Sequence, residues 1–463
     1  MHFDFKGRRI TGYAGETIAA ALCASGIKIL SRSLKYHRPR GLFCCIGKCS
    51  SCLMSVNGVN NVRTCIEPAK EGIIVEENDD RSARVAPIKK DLAHSVEKID
   101  TDLLVVGGGP AGLSAAITAA KLGVDSVIVD ENTLPGGQLI KQSHKFFGTK
   151  DTYAGIRGVE IAKILLGDLK KTTTRWLLNS SVIGCFQNKN HRIMIVQENE
   201  KLIEANAKRV LISTGAQENS LPFANNDLPG VYGAGAVQTL MNVYGILPGK
   251  KALIVGAGNV GLIVGYQLIQ AGVNVQMVVE AAPTIGGYLV HASKLRRLGV
   301  PILTSHTIKS AWGNESVEGA TIVELDKNWQ EIKGSDQRVE TDMICIAVGL
   351  SPSSELTSQA GCRQTYMPEL GGLVAIHSRT LETTVEGMLV SGDASGIQEA
   401  NTAIMEGRLA AASIATQENA DNREASRIVE QSLRSLESLR QSPSSARVLS
   451  GKKKVNELWS KLK

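Results

Sequence analysis

The chain has 463 residues, with 52 Lys and Arg against 45 Asp and Glu and a net charge of +7. Hydrophobic residues at 43% and charged residues at 21% exclude a disordered or fibrous chain, and so mild a charge excess does not argue for nucleic acid. Many glycines (46) and few aromatics (4%) suit tight turns and phosphate-binding loops better than a base- or sugar-stacking surface. No apolar run approaches the roughly 18 residues that span a bilayer, and the N-terminus MHFDFKGRRI has no apolar signal core. The expected location is the cytoplasm, with any membrane association made through a partner.

FDFKGRRITG alternates around a Lys-Gly turn and predicts a hairpin. GETIAAALCASG places Thr17, Ala20, Ala21 and Ala24 at helical spacing and ends at Gly26, a C-terminal cap. SRSLKYHRPRGLF (31–43) is a basic loop. SCLMSVNGVNNVRTC predicts two strands around Asn57-Gly58, a strong hairpin signal. Residues 70–100 are polar, and the linker is expected at 91–100. Strand, Gly-rich turn, helix and strand then follow at 102–131 and again at 251–280, which means parallel sheets with crossover helices. From 421 the chain is Ser-rich and basic, expected as one helix and a basic tail.

There are nine cysteines: 23, 44, 45, 49, 52, 65, 185, 345 and 362. Four fall between positions 44 and 52, where a secreted disulfide framework would spread them. Cys44-x4-Cys49-x2-Cys52 is the plant-type spacing for a [2Fe–2S] cluster. Twelve residues on, Cys65 is the fourth thiolate, returned to the loop by the Asn57-Gly58 hairpin. The rival is zinc, but zinc sites commonly pair two C-x2-C units and only one is present. Cys45 is read as a spectator and the isolated cysteines as buried structural thiols.

Two G-x-G-x-x-G fingerprints follow apolar strands and open helices. The first uses Gly107, Gly109 and Gly112, and its next strand ends in Asp130, placed for a ribose hydroxyl pair. The helix N-terminus supplies amides and positive dipole to a pyrophosphate. The second uses Gly256, Gly258 and Gly261, with Glu280 ending the next strand. An acid there repels a 2′-phosphate and favours NAD(H) over NADP(H), the alternative being a retained fold with no nucleotide. LISTGAQE (211–218) carries Thr214-Gly215 and CIAVGLSP (345–352) ends a similar strand. GMLVSGDASG (387–396) holds Gly392-Asp393, where Asp393 would reach a ribityl hydroxyl.

These features together resemble the pyridine nucleotide–disulfide oxidoreductase fold over about residues 100–420. The resemblance implies FAD at the first site, with Gly137, Gln138, Thr214 and Gly215 joining the residues above. GGQLIKQSHKFFG (136–148) contains no cysteine pair, which excludes redox-active disulfide chemistry. The segment SRSLKYHRPRGLFC with its three-cysteine loop resembles the [2Fe–2S] domain of heteromeric flavin dehydrogenases. These are the dye-linked proline, hydroxyproline and opine dehydrogenases, hydrogen cyanide synthase and heterotetrameric sarcosine oxidase. There the position of Cys45 is usually Gly. Neither the long folate-binding C-terminal half of sarcosine oxidase α subunits nor the second cysteine-rich segment of hydrogen cyanide synthase subunits is found in this chain.

The expected fold class is α/β: two nested Rossmann-like dinucleotide-binding domains preceded by an α+β ferredoxin-like [2Fe–2S] domain. The expected boundaries are 1–90 for the cluster domain, 101–225 and 345–420 for the FAD domain, 226–344 for the NAD-type domain and 421–463 for the helix and tail. No general base stands out, and His37, His144 and His291 read as structural or surface residues. The resemblance implies an electron-relay subunit whose β-type flavin partner oxidises a small amine or amino acid, with FMN at the subunit interface and NAD at the second fold as further cofactors. Arg38 and Arg40, just before Cys44, are expected to hold a flavin phosphate at that interface, or only to pin a loop. The alternatives are a self-sufficient NAD(H)-dependent reductase and a scaffold protein holding an adenine nucleotide.

Overall fold

The computed structural model describes residues 1–78, 96–146, 148, 150–187, 190–197, 201–442 and 445–462. The chain divides into two compact units, 1–90 with 218–349 and 91–217 with 350–463.

In the first unit, Phe3, Phe5 and Ile10 alternate with polar neighbours and turn one face of the first hairpin inward. Its strands, His2–Phe5 and Arg8–Thr11, join a five-stranded sheet in the order Arg8–Thr11, His2–Phe5, Ile74–Glu77, Leu53–Val56, Val59–Arg63. The turn at Asn57-Gly58 has both residues at positive φ, as the sequence predicts. The helix Ile18–Ala24 is capped by the Thr17 side chain, which accepts from the Ala20 amide at 3.3 Å. Its buried face joins the sheet's core.

Residues 218–349 of the same unit form a second sheet of five parallel strands. Their order is Val231–Gly233, Met343–Ile346, Lys251–Val255, Asn274–Glu280, Ile302–Thr304. Strands such as ALIV and MICI are buried on both faces, so they read as continuous apolar runs. One apolar core runs from Phe3 through Leu42 to Tyr232 and Cys345, so the cysteine domain and this fold share it.

In the second unit the strand Lys201–Ile212 serves two pairings. Its first half continues an antiparallel meander with His191–Gln197 and Ser180–Gln187. Its end lies parallel to Met388–Val390, while Glu97–Val106 pairs with it throughout. The helices Pro110–Lys121 and Ala400–Glu418 pack closely, because Gly407 leaves no side chain against the Ala111 carbonyl.

Two sequence expectations are corrected. Of the linker at 91–100, residues 91–95 lie outside the described residues. Residues 97–100 begin the long strand instead, since Ile99 is buried and Glu97 pairs with Arg175. The 421–463 segment holds two helices, Arg423–Arg440 and Ala446–Ser460, where one helix and a tail are expected. Ala425, Ser432 and Leu436 bury one face of the first helix, and Gly451, Lys452 and Val455 one face of the second.

Candidate cofactor sites

The four predicted thiols come together. Cys44 contacts Cys49 and Cys65, and Cys65 contacts Cys52. The Cys49 amide donates to Cys44 Sγ at 3.4 Å. Contact with Cys49 and then Cys65 pulls the Cys44 thiol down, whereas contact with Cys44 and Cys52, together with burial, pushes Cys65 up. Cys44, Cys52 and Cys65 are buried and Cys49 is half-buried. Among the described residues no His, Cys, Asp or Glu group converges as on a single ion. The thiols instead form a chain of pairs, Cys49–Cys44–Cys65–Cys52, a donor set that fits two bridged irons. Cys45 has φ +50, a conformation glycine adopts freely, and packs against the apolar core.

The neighbouring fold closes over this loop. The Gly233 amide donates to the Phe43 carbonyl at 2.9 Å. Tyr232 is 2% exposed, and burial pushes its hydroxyl up, with Cys23 and Cys45 adding to the effect. Tyr244, also raised by burial, contacts the Thr17 side chain. The basic loop is pinned within the chain. Arg38 clamps Asp227 with Nε at 2.8 Å and Nη2 at 2.6 Å, and Arg40 reaches the same carboxylate at 3.5 Å. Arg32 pairs with Glu315 at 2.5 Å. Both arginine side chains of that clamp, Arg38 and Arg40, stay more than a third exposed.

At the first fingerprint, Gly107 has φ +107 and a Cβ there would collide with the Ser213 carbonyl. Gly109 faces open space, with only the Gly137 Cα at 3.9 Å from where its Cβ would stand. That gap above the N-terminus of Pro110–Lys121 is what a pyrophosphate needs. Asp130 Oδ2 accepts from the Gly108 amide at 2.5 Å, and Oδ1 from the Asn132 amide at 2.7 Å. The carboxylate thus braces the glycine turn at the strand end. Gly137 begins the short helix Gly137–Lys141 opposite Gly109, and Gln138 beside it is exposed. Thr214 Oγ1 donates to the Ser353 carbonyl at 3.2 Å, and the Gly215 carbonyl accepts from the Ser353 amide.

The second fingerprint repeats the geometry. Gly256 has φ +109, and Gly258 has nothing within 4 Å of where its Cβ would stand. Gly261 packs on the Gly256 carbonyl. Glu280 accepts from the Ala257 amide at 2.7 Å and the Ala282 amide at 2.9 Å.

Gly392 and Asp393 lie at the end of Met388–Val390, as predicted. Burial raises the Asp393 carboxyl to about 6, although the Gln398 amide donates to it at 3.1 Å. The residue sequence reasoning misses is Glu406. Its Oε2 accepts from the Gly392 amide and the Ser395 hydroxyl, each at 2.8 Å. Its Oε1 accepts from Lys452 at 2.9 Å, Arg440 at 2.5 Å and Gln398 at 3.0 Å. Its signal is a lone acid in the apolar run ANTAIMEGRLAA.

Comparison with known proteins follows this division. Residues 1–80 match a 2Fe-2S iron-sulfur cluster binding domain, and residues 101–407 match pyridine nucleotide-disulphide oxidoreductases. The chain is 25% identical over 455 residues to the alpha subunit of sarcosine oxidase from Rhizobium meliloti, covering 85% of this chain and 44% of that one. It is 28% identical to one of the subunits of opine oxidase from Agrobacterium tumefaciens, covering 67% of this chain and 64% of that one. It therefore spans less than two thirds of these relatives' length. The hydrogen cyanide synthase subunit HcnB of Pseudomonas aeruginosa is 29% identical, over 68% of this chain and 71% of its own. In fold, the chain resembles the L-proline dehydrogenase of P. horikoshii, with a TM-score of 0.69, 24% identity, and 93% of this chain and 76% of that one covered. Among the described residues no helix is long and apolar enough to cross a membrane.

Proposed function

From the premise that this chain belongs to the pyridine nucleotide-disulphide oxidoreductase family and carries a 2Fe-2S domain ahead of it, we propose that it is the electron-relay subunit of a multi-subunit dehydrogenase or oxidase. A partner flavin protein would oxidise a small amine or amino acid. Sarcosine, proline, hydroxyproline and opines define the class, because relatives named for sarcosine and opines are themselves subunits. The observation that carries the reading is the gathering of four thiols beside a nucleotide fold, in a chain whose fingerprints both keep an open cradle.

A flavin exchanges electrons in pairs or singly and a two-iron cluster singly, so the two together convert a pair into single electrons. In this reading Cys44, Cys49, Cys52 and Cys65 hold the cluster. Gly107, Gly109 and Gly112 admit a pyrophosphate to the helix N-terminus, with Gly137 and Gln138 beside it and Thr214-Gly215 bordering the pocket. Asp130 holds the glycine turn and offers its remaining lone pairs to a ribose. Asp393 accepts from a ribityl hydroxyl, and Glu406 fixes the Gly392 amide below it.

Extraction of the bound nucleotide tests the first fold: FAD supports the relay, whereas ATP or NAD alone would require another mechanism. The purified chain should not oxidise proline or sarcosine with an artificial dye until a β-type flavin subunit is supplied. Full amine oxidation by this chain alone would overturn the proposal. The intact second cradle, with Gly258 open and Glu280 in place, favours one further reading, a self-sufficient NAD(H)-dependent reductase. Rapid bleaching of the isolated chain by NADH would establish that reading instead.

A further inference from the structure

The helices Arg423–Arg440 and Ala446–Ser460 lie beyond the residues 101–407 that match the family, yet each sends a cation into the interior of the second unit. The Arg440 side chain is 14% exposed and that of Lys452 4%, and both meet the fully buried Glu406. Arg379, Glu437, Lys453 and Glu457 border the cavity beside this centre with two charges of each sign, so they add no net charge to it. Taking ions out of water offsets most of their attraction, and a well-packed apolar cluster would stabilise the place as well or better. Stability alone does not account for three charges here. What a satisfied network of charged hydrogen bonds adds is a single rigid geometry.

Those bonds end on one loop, Gly392 to Gln398. Lys452 Nζ donates to the Ser395 carbonyl at 3.0 Å and to its hydroxyl at 2.6 Å. The Ser395 hydroxyl lies 2.8 Å from the Gly392 carbonyl, and Glu406 takes the Gly392 amide. Arg440 Nε donates to the Gln398 side chain at 2.9 Å, and the Gln398 amide donates to Asp393 Oδ1 at 3.1 Å. Both ends of the loop are fastened, with Asp393 between them. Packing repeats the grip. A side chain at Gly451 would stand 2.8 Å from Leu370 Cγ, so the last helix lies directly on Leu370, whose carbonyl accepts from the Ile397 amide at 2.9 Å. Gly392 and Gly396 sit at φ +65 and +131, so the loop has little shape of its own and takes it from these partners.

We infer that Arg440 and Lys452 are positioning residues for the first-fold cofactor: the two C-terminal helices strap this loop into the one conformation that aims the Asp393 carboxylate at its ligand. The inference rests on reading Asp393 as a flavin contact. Both cations act through the loop, without touching the cofactor.

Titration of the flavin-stripped full chain with FAD, read by flavin absorbance, tests it. Lys452→Met should weaken FAD binding about tenfold, the worth of one or two hydrogen bonds that no longer hold the loop, and should change the shape of the bound flavin's absorption band. Arg440→Met should do the same, and it carries the test alone should Lys452→Met fail to fold. Lys453, exposed beside Lys452 on the same helix, supplies the control. Lys453→Met removes the same charge and should leave affinity and band shape at wild-type values. Cations with a merely structural role would lower the melting temperature of the flavin-free chain and leave the affinity and spectrum of the folded chain unchanged. That result, or an equal defect in Lys453→Met, would overturn the inference. A wild-type chain that takes up no FAD would overturn the reading of the first fold itself, a different result from wild-type binding that neither variant weakens.

Discussion

Replacing Glu406 by Gln removes one charge from the most buried ionic centre of the described residues while keeping its shape. The surrounding cations hold this fully buried carboxyl down from 4.5 to about 2, against burial that pushes the other way. Each tenfold in proton affinity is worth about 1.4 kcal/mol, so ionised Glu406 contributes roughly 3 kcal/mol that a neutral amide does not. Because the folded value is the lower one, this stability is complete above pH 4.5 and is lost as the pH falls towards 2. The expected gap between wild type and Glu406→Gln is therefore about 3 kcal/mol at pH 7 and closes across that window. Lys452 sets a ceiling on it. Burial lowers its ammonium from 10.5 to about 8 despite Glu406, so in the variant it loses its proton near neutrality and sheds part of the penalty. The pair is unequal because two cations serve the carboxylate and one carboxylate serves both cations. Hydrogen exchange of the Ala400–Glu418 amides, followed from pH 7 to pH 3, reads the unit that holds the charge. Equal protection at pH 7, or a gap that does not narrow in acid, would refute the reasoning.

Other outcomes are as direct. Cys44→Ser, Cys49→Ser, Cys52→Ser and Cys65→Ser should each lower iron and acid-labile sulfide content and the reduced-state EPR signal, whereas Cys45→Gly should leave both intact. Gly109→Val should abolish nucleotide retention at the first fold without unfolding it, since its side chain enters space otherwise open; retained FAD in the extract would count against the cradle. Asp393→Asn should weaken flavin retention yet stabilise the flavin-free chain. Burial raises this carboxyl from 3.8 to about 6, so its ionised form costs about 3 kcal/mol above pH 6 and nothing below pH 3.8. A melting comparison at pH 5 and pH 8 checks the sign. Arg38→Ala should cost no more than about 1 kcal/mol, because its side chain is 40% exposed; calorimetric melting measures it, and a loss of several kcal/mol would contradict that discount.

Both glycine turns are legible because a strand, a φ-positive glycine and a helix N-terminus are local events, set by residues close together in the chain. The gathering of the thiols is legible for the same reason: three of the cysteines lie on one loop, and a two-residue turn returns the fourth. What escapes is long-range. Asp227 gives no sign in the sequence that it will meet Arg38, because the clamp spans 189 positions. Lys452 sits in the run GKKK, which reads as solvated surface, yet it is 3% exposed. Only the fold of Ala446–Ser460 turns one lysine of that run inward onto Glu406. The linker expectation fails at Glu97 because polar residues alternate with Ile99 along a strand whose exposed face is polar.

The core shared by the cysteine domain and residues 218–349 also bears on fragments. A side chain at Gly41 would stand 2.9 Å from the Pro229 Cα, and the Phe43 carbonyl is already taken by Gly233. Severed after residue 78, the N-terminal piece would leave Leu42 without its apolar neighbours from the second fold, and Tyr232 on the other piece would be stripped in turn. The first 78 residues thus behave less like a detachable ferredoxin than like one half of a shared fold. A truncation meant to isolate the iron–sulfur domain should yield an aggregating fragment, and cutting the other way should cost the second nucleotide fold as well.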